Sequence, residues 1–281
     1  MGSLPLKPSR WRTFTALFAD SAARWNDHNA PRLGAALAFY TLLSITPLLI
    51  VVTAIASLVY GSQAARGEIV DQVGAVAGSA GASVVGAILG RAENTQHGLL
   101  ATILGSVVGL LGASGVVGEL RDALNTMWDV PVPERDRLKS VLNVVYEKLF
   151  AAALVLCSGF LLLLSVAANV LVSQLAAWGV GTSLISFVVV TSLFAATLKF
   201  VPDLRIEWHE ALLGALVTSV LFEIGRQLIA FYLVRANFGA SYGAAASTTA
   251  MLVWVYYSSQ IFFFGAAFTK ELEMRRSAET E

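Results

Sequence analysis

Long apolar stretches alternate with short polar stretches along most of the chain. A helix that spans a bilayer needs about 20 mostly apolar residues, and six segments meet this requirement. They are Ala35–Tyr60, Leu99–Val117, Leu149–Val172, Ser183–Val201, Ala211–Val234 and Ala244–Phe268. The first is too long for the apolar core of a signal peptide, so we interpret it as an uncleaved span. The pattern predicts an all-α polytopic membrane protein built as a six-span helical bundle.

The composition supports the membrane class. Of the 281 residues, 56% are hydrophobic and 14% are charged, whereas a soluble domain has about 25% charged residues. The mean hydropathy is +0.69. The formal net charge is zero, so bulk charge does not predict nucleic acid as a partner, and we expect membrane lipids instead. The single cysteine, Cys157, excludes an intrachain disulfide.

The lysines and arginines predict the orientation, because the cytoplasmic loops of membrane proteins carry an excess of these residues. With the N-terminus inside, most of them fall in the inner segments, which are 1–34, 118–148, 199–210 and the C-terminal tail. Arg226 lies within span five and is the one basic residue that this topology does not explain. Both termini are therefore predicted to be cytoplasmic.

Two segments outside the spans have helical periodicity. Residues 62–97 predict one or two amphipathic helices on the outer side, which either cap the bundle or lie on the lipid surface. We prefer the cap. Residues 1–34 predict an interfacial helix on the inner leaflet, and its apolar face consists of Trp11, Phe14, Leu17 and Phe18. The predicted transmembrane domain covers 35–272, and 273–281 form a cytoplasmic tail.

The second span continues beyond the predicted membrane boundary. A helical pattern runs through Glu119–Trp128, and the prolines of "DVPVPE" end it. Arg135–Leu149 resumes the pattern and enters span three. The sequence thus predicts a helical hairpin that extends spans two and three into the cytoplasm. Its basic residues could meet anionic headgroups, although a solvated helix face is the simpler interpretation.

Span five carries a carboxylate and a guanidinium near its middle. Glu223 and Arg226 are three residues apart and can pair on one helix face. A charge at bilayer depth costs at least about 2.5–3.5 kcal/mol and marks a functional position by default. A structural pair that holds helices together is an equal alternative. We expect further polar residues of spans one and six to line one cavity with this pair, namely Tyr40, Ser44, Tyr256 and Gln260.

Two further features concern helix shape. Pro47 removes one backbone hydrogen bond and predicts a kink in span one. Span two contains Gly105, Gly109 and Gly112, and the spacing of the first two is that of a GxxxG motif. Small residues let helix backbones approach closely. We prefer packing within the bundle to dimerisation, and a homo-oligomer stays open.

The chain lacks the motifs of several enzyme classes. It has no Walker A loop, no paired-histidine zinc motif and no nucleophile elbow. The histidines are far apart in sequence at positions 28, 97 and 209. We therefore expect no catalytic residues, no metal and no cofactor, and we interpret the protein as a non-enzyme.

Three blocks of the sequence resemble the YihY/BrkB family of bacterial inner-membrane proteins. The blocks are Ala36–Gly61, Gly112–Val130 and Phe238–Thr269, and the resemblance extends from about residue 15 to residue 272. It implies a six-span protein of the bacterial inner membrane. The "FExGK/R" pattern of the family is similar to Phe222–Arg226 here. Where relatives often have the glutamate of "GAEFT", this chain has Ala267.

The resemblance implies a function only in outline. The family was long labelled ribonuclease BN, and the lack of a metal-ligand cluster in this sequence argues against that activity. Some relatives are linked to the export of lipids or lipopolysaccharide precursors. We expect a transporter or flippase-like protein for an amphipathic or lipid-linked substrate, which works through the polar cavity. The alternative is a non-catalytic scaffold or assembly factor of the cell envelope.

Overall fold

The computed structural model describes residues 10–93, 115–131, 182–204, 206–235 and 246–280. These residues form helices joined by turns, and no strand occurs among them. The helices are α1 (Arg10–Asp27), α2 (Ala30–Tyr60), α3 (Ser62–Glu93), α4 (115–127), α5 (Thr182–Phe200), α6 (Trp208–Arg235) and α7 (Ala246–Thr280). The all-α prediction is confirmed for this part of the chain.

Four predicted spans coincide with these helices. Spans one, four, five and six correspond to α2, α5, α6 and α7. In α6 and α7, the stretches Trp208–Ile229 and Thr248–Ala278 are long and apolar enough to cross a membrane. Most of span two, with Gly105, Gly109 and Gly112, lies outside the described residues, as do span three and the second arm of the predicted hairpin. The six-span count therefore stays a prediction.

Asn29 separates α1 from α2. Its φ of 53° lies in the left-handed region, which asparagine tolerates better than most residues. Pro31 follows in the first turn of α2. Backbone N–H groups in this turn have no partner within the helix, so the N–H that proline lacks costs no helical hydrogen bond. Span one therefore begins earlier than predicted, at Ala30. The helix includes position 47, and the kink at Pro47 stays a prediction.

Phe18, one residue of the predicted apolar face of α1, packs against α7. The Phe18 ring centroid lies 5.7 Å from that of Phe264 and 5.4 Å from that of Phe268. Leu17, one position earlier, is 7% exposed. These contacts give Phe18 a partner on α7, while the position of α1 on the inner leaflet stays a prediction.

The helix α3 folds back on itself. A Cβ atom built on Gly86 would lie 3.9 Å from Cγ2 of Val70, and one on Gly74 would lie 3.4 Å from Cβ of Ala82. In a straight helix, residues 70 and 86 would be about 24 Å apart along the axis. The chain must therefore reverse direction between Gly74 and Ala82. Of the two predicted alternatives, one helix or two, the structure favours two antiparallel arms.

The arms of α3 pack against the second half of α2. Their apolar side chains form a small core around Leu49 of α2, and the buried members from α3 are Ala65, Ile69, Val85 and Leu89. The segment also contacts α5, α6 and α7. It thus packs against other described helices, while its role as a cap on the outer side of a membrane stays a prediction.

The main core lies where α2, α4, α5, α6 and α7 meet. Leu124 and Met127 of α4 are fully buried in it, and Trp128 is 2% exposed. The indole Nε1 of Trp128 donates a hydrogen bond of 2.8 Å to the carbonyl oxygen of Ala266 in α7. The first arm of the predicted hairpin therefore packs against α7 in the main core, while its extension into the cytoplasm stays a prediction.

Two equivalent Gly-x-x-x-Thr motifs hold α6 and α7 together. In each helix the threonine hydroxyl donates to the carbonyl of the glycine one turn earlier, Thr218 to Gly214 and Thr269 to Gly265. A Cβ atom on Gly265 would lie 1.8 Å from Oγ1 of Thr218, and one on Gly214 would lie 1.8 Å from Oγ1 of Thr269. Only glycine allows this approach of the two backbones.

Replacing Gly265 with alanine tests this contact. The added methyl group has no room beside Thr218, so we expect a loss of about 1–3 kcal/mol, as overpacking in a core gives. The measurement is the Tm of the purified protein in detergent. Gly118→Ala in α4 is the matched control, because nothing lies within 4 Å of its Cβ position, and its Tm should stay or rise. Equal losses in both variants would contradict the contact.

Candidate functional site

Glu223 and Arg226 form an ion pair within α6. Oε1 of Glu223 accepts a hydrogen bond from Nη2 of Arg226, about one turn further along the helix. The side chain of Arg226 is 26% exposed and that of Glu223 is 45% exposed. The carboxylate of Glu223 is therefore accessible from outside the helical bundle, although it is paired with Arg226.

The pair lies on the exposed apolar side of α6. Gln227, which is also exposed, follows Glu223 by one turn. We call Glu223, Arg226 and Gln227 the α6 polar patch. Large apolar side chains surround it at helical spacing and are 44–58% exposed, namely Leu216, Val220, Ile224 and Leu228. The patch is thus a polar island in a surface of the kind that faces lipid.

Close packing fixes the opposite side of α6 at the level of the patch. The Phe222 ring centroid lies 5.6 Å from that of Phe194 in α5 and 6.4 Å from that of Trp254 in α7. A Cβ atom on Gly225 would lie 2.6 Å from Cε1 of Tyr257. Rotation of α6 about its own axis would produce clashes on both neighbours, so these contacts fix the direction in which Glu223 points.

Gln260 of the predicted cavity lies at the junction of α7 with α2. Its Nε2 donates a hydrogen bond of 3.4 Å to the carbonyl oxygen of Ala30, at the start of α2. A Cβ atom on Gly34 would lie 2.0 Å from this nitrogen, so glycine makes room for the amide. Within the described part of the chain, the buried Oε1 of Gln260 has no hydrogen-bond partner.

The remaining residues of the predicted cavity have other surroundings. Ser44 is buried, and its hydroxyl donates to the carbonyl of Thr41 in its own helix, at 3.2 Å. The Tyr40 ring lies against Gly115 of α4. Tyr256 is partly exposed on α7. The described contacts of the six predicted residues thus belong to different helix junctions, and a single cavity shared by all of them stays a prediction.

A second charged cluster lies where α1, α4 and α7 meet, and we did not predict it from the sequence. Nε of Arg24 in α1 lies 2.6 Å from Oε1 of Glu271 in α7. Nη1 of Arg24 lies 2.7 Å from Oδ2 of Asp129, which follows α4. The side chains of Arg24 and Glu271 are only 11% and 13% exposed. We call Arg24, His28, Asp129 and Glu271 the Arg24 cluster.

His28 connects α1 with the end of α4. Its Nδ1 lies 2.8 Å from the carbonyl oxygen of Arg24, and its Nε2 lies 2.8 Å from Oδ1 of Asp129. The two ring nitrogens of His28 thus bridge the carbonyl of Arg24 in α1 and the carboxylate of Asp129 after α4. The hydrogen bond from His28, followed by that from Arg24, holds the pKa of Asp129 below its ordinary value.

Asp203 links α4 to the segment between α5 and α6 through hydrogen bonds. Its carboxylate accepts hydrogen bonds from Arg121 and, at 2.7 Å, from Nδ2 of Asn125. The backbone N–H of Asp203 donates to Oδ1 of Asn125 at 3.0 Å. Burial alone raises the pKa of Asp203, but the hydrogen bonds from Arg121 and Asn125 outweigh it, and the pKa is lowered. The carboxylate therefore stays charged in its role as a link.

The C-terminal turns of α7 join the same end of the bundle. Arg275 pairs with Asp20 of α1. Arg276 lies 3.2 Å from a carboxylate oxygen of Glu207 and 3.5 Å from one of Glu210, at the start of α6. α7 continues as a helix to Thr280, and these ion pairs give its last turns partners. The cytoplasmic location of residues 273–281 stays a prediction.

Ala267 and Glu271 occupy successive turns of α7. Ala267 is fully buried in the main core, whereas Glu271 binds Arg24. A carboxylate at position 267 would share a helix face with the one at 271. The sequence offered one signal for the Arg24 cluster, an acidic residue one turn after Ala267, but no spacing rule connects it with α1.

In the described residues, no three His, Cys, Asp or Glu side chains are grouped as a metal ion would require.

Two helices long and apolar enough to cross a membrane, with large exposed apolar side chains along α6, are typical of a helical membrane protein. The chain belongs to the family described as "Virulence factor BrkB", whose profile matches residues 21–281. This match confirms the resemblance seen in the sequence blocks. It covers all of the helices above except the start of α1.

Similar proteins bear the name UPF0761 membrane protein. One from Ralstonia nicotianae is 26% identical over an alignment of 264 positions that covers 90% of this chain and 58% of that protein. One from Actinobacillus pleuropneumoniae is 26% identical over 265 aligned positions that cover 89% of this chain and 91% of that protein. One from Aggregatibacter aphrophilus is 25% identical over 276 aligned positions that cover 95% of this chain and 94% of that protein. No solved structure matches the chain significantly.

The pH dependence of stability tests the Arg24 cluster. Because the pKa of Asp129 is lowered in the folded protein, its contribution is present above the unfolded pKa of about 3.9 and is lost as pH falls through the folded pKa. We expect wild type to have a higher Tm than Asp129→Asn at pH 6, and this difference to disappear on acidification below about pH 4.

Thermal unfolding of both proteins in detergent across this pH range gives the result. The control is Asp27→Asn, at an exposed position of α1, for which the difference from wild type should be small and constant. If Asp129→Asn and wild type keep the same separation down to the lowest pH, the carboxylate of Asp129 does not stabilise the cluster.

Proposed function

We propose that this membrane protein is a transporter or flippase-like protein that moves an amphipathic or lipid-linked molecule, and that the substrate's polar group passes the α6 polar patch. One observation carries the proposal. The paired carboxylate of Glu223 is 45% exposed in the middle of a stripe of exposed apolar side chains. A purely structural pair would be enclosed by neighbouring helices.

Aromatic residues near the two ends of α6 indicate how deep in the membrane the α6 polar patch lies. Trp208 is 51% exposed and Tyr232 is 54% exposed, and such side chains concentrate at membrane–water interfaces. They are about 36 Å apart along the helix axis, which suits a hydrocarbon core of about 30 Å between them. Glu223 lies about 22 Å from Trp208 along the same axis, so it falls at hydrocarbon depth.

Within α6, the exposed carboxylate of Glu223 has Arg226 as its partner, and the large apolar side chains around it offer no further hydrogen bond. A charge at this depth costs at least about 2.5–3.5 kcal/mol in lipid, so a further polar partner from outside the helix would stabilise it. The polar group of a substrate, or water that accompanies it, would supply one. The patch would therefore lower the barrier that a headgroup meets on its way through the hydrocarbon core.

Substitution of the pair tests the proposal. Glu223→Gln and Arg226→Ala should abolish transport, because each removes one charge that stabilises the polar group in passage. The measurements are the movement of lipid analogues between leaflets of proteoliposomes and the lipid distribution in cells, at equal protein level. Glu273→Gln is the matched control, since Lys270 and Glu273 form an ion pair of the same spacing on α7, and it should keep activity.

Unchanged transport in both patch variants would contradict the proposal. It would favour the alternative of an envelope scaffold or assembly factor, particularly if the protein co-purified with a stable partner. Loss of transport in Glu273→Gln as well would show that general loss of structure, and not the patch, explains the effect.

A further inference from the structure

The charges of the α6 polar patch restrict the polar group that fits it. Glu223 and Arg226 neutralise each other, so the pair has no net charge. An anionic group bound to Arg226 would leave the Glu223 carboxylate unpartnered at hydrocarbon depth, and a cationic group bound to Glu223 would do the same to Arg226. Both arrangements are costly. A group that carries both charges replaces both partners at once.

We propose that the α6 polar patch binds the zwitterionic phosphoethanolamine headgroup of a membrane lipid; this rests on the proposed transport function. The guanidinium of Arg226 has paired N–H donors that match phosphate oxygens. The carboxylate of Glu223 accepts hydrogen bonds from the primary ammonium group. Gln227, exposed one turn from Glu223, adds an amide that can donate and accept.

The surroundings of the patch select a lipid and not a soluble phosphoethanolamine. Val220, Ile224 and Leu228 are exposed beside it, and Phe231, further along the same side, is 60% exposed. Acyl chains can lie against this surface, whereas a soluble molecule would bring no apolar part to cover it. The depth of Glu223, about 22 Å from Trp208 along the axis, also favours a ligand that arrives through the bilayer.

The geometry distinguishes three common headgroups. Phosphatidylcholine carries the same two charges, but its quaternary ammonium has no N–H to donate to Glu223. Phosphatidylglycerol offers a phosphate to Arg226 and places that negative charge near the Glu223 carboxylate. Phosphatidylethanolamine satisfies both side chains. It should therefore bind more tightly than the other two.

Lipid titrations of the purified full-length protein, followed by native mass spectrometry, test this ranking with lipids of identical acyl chains. We expect phosphatidylethanolamine to bind wild type about tenfold more tightly than the other two lipids. This ratio of affinities corresponds to the contribution of one hydrogen bond to a charged group. Glu223→Gln keeps the shape of the side chain and should remove this preference. Arg226→Gln should weaken all three lipids. Glu273→Gln should keep the wild-type pattern.

A Glu223→Gln protein that still prefers phosphatidylethanolamine overturns the proposal, as does wild type that binds phosphatidylglycerol equally well. If Arg226→Gln does not fold, the isosteric Glu223→Gln variant decides alone. If soluble glycerophosphoethanolamine competed with the lipid for binding, the proposal that the headgroup belongs to a membrane lipid would be contradicted. A dimer that binds no lipid and that Glu223→Gln dissociates would assign the patch to a second copy of the chain.

The outcome is separable from that of the transport test. A phosphatidylethanolamine preference that depends on Glu223, in a protein that moves no lipid, would support the binding site and contradict the proposed function. Transport that depends on Glu223 without any preference for this headgroup would support the proposed function and contradict the site.

Discussion

The guanidinium of Arg24 is the interaction on which the packing of the described helices depends. It is nearly buried and is held by Glu271, 247 residues away in sequence, and by Asp129. A buried charge is stable only when it is paired and hydrogen-bonded. α1, the end of α4 and α7 must therefore come together for any of them to pack at this end. Trp128, beside Asp129, then reaches the carbonyl of Ala266.

The candidate site depends on this arrangement through α7. The Arg24 cluster holds the C-terminal part of α7, and the glycine–threonine motifs fix α6 against it. Phe222 and Gly225 continue that contact to the level of the patch. The direction of the Glu223 carboxylate is thus set by packing on the opposite side of its helix. Because this packing lies on the side of α6 away from the patch, the exposed carboxylate can exchange a ligand without disturbing it.

Local rules predicted much of the fold and the pairing within the site. Hydropathy placed α2, α5, α6 and α7, the prolines after Asp129 marked the end of α4, and the spacing of Glu223 and Arg226 indicated an ion pair. Long-range choices were not predictable. A shared face on one helix does not say which helix lies opposite, so the contact of Tyr40 with Gly115 of α4 was not predicted. In the sequence, Arg24 served only as one of the basic residues that predict the orientation. No residue near it in the sequence indicates that its partner is Glu271.

A double-mutant cycle on Arg24 and Glu271 tests most directly whether this pair holds the helices together. The variants are Arg24→Gln, Glu271→Gln and the double variant, and the measurement is the free energy of unfolding in mixed micelles with denaturant. Breaking a buried pair from one side costs about 3–5 kcal/mol, so each single variant should lose stability and the double variant should lose little more than either. Strictly additive losses, with no coupling between the two positions, would contradict this account.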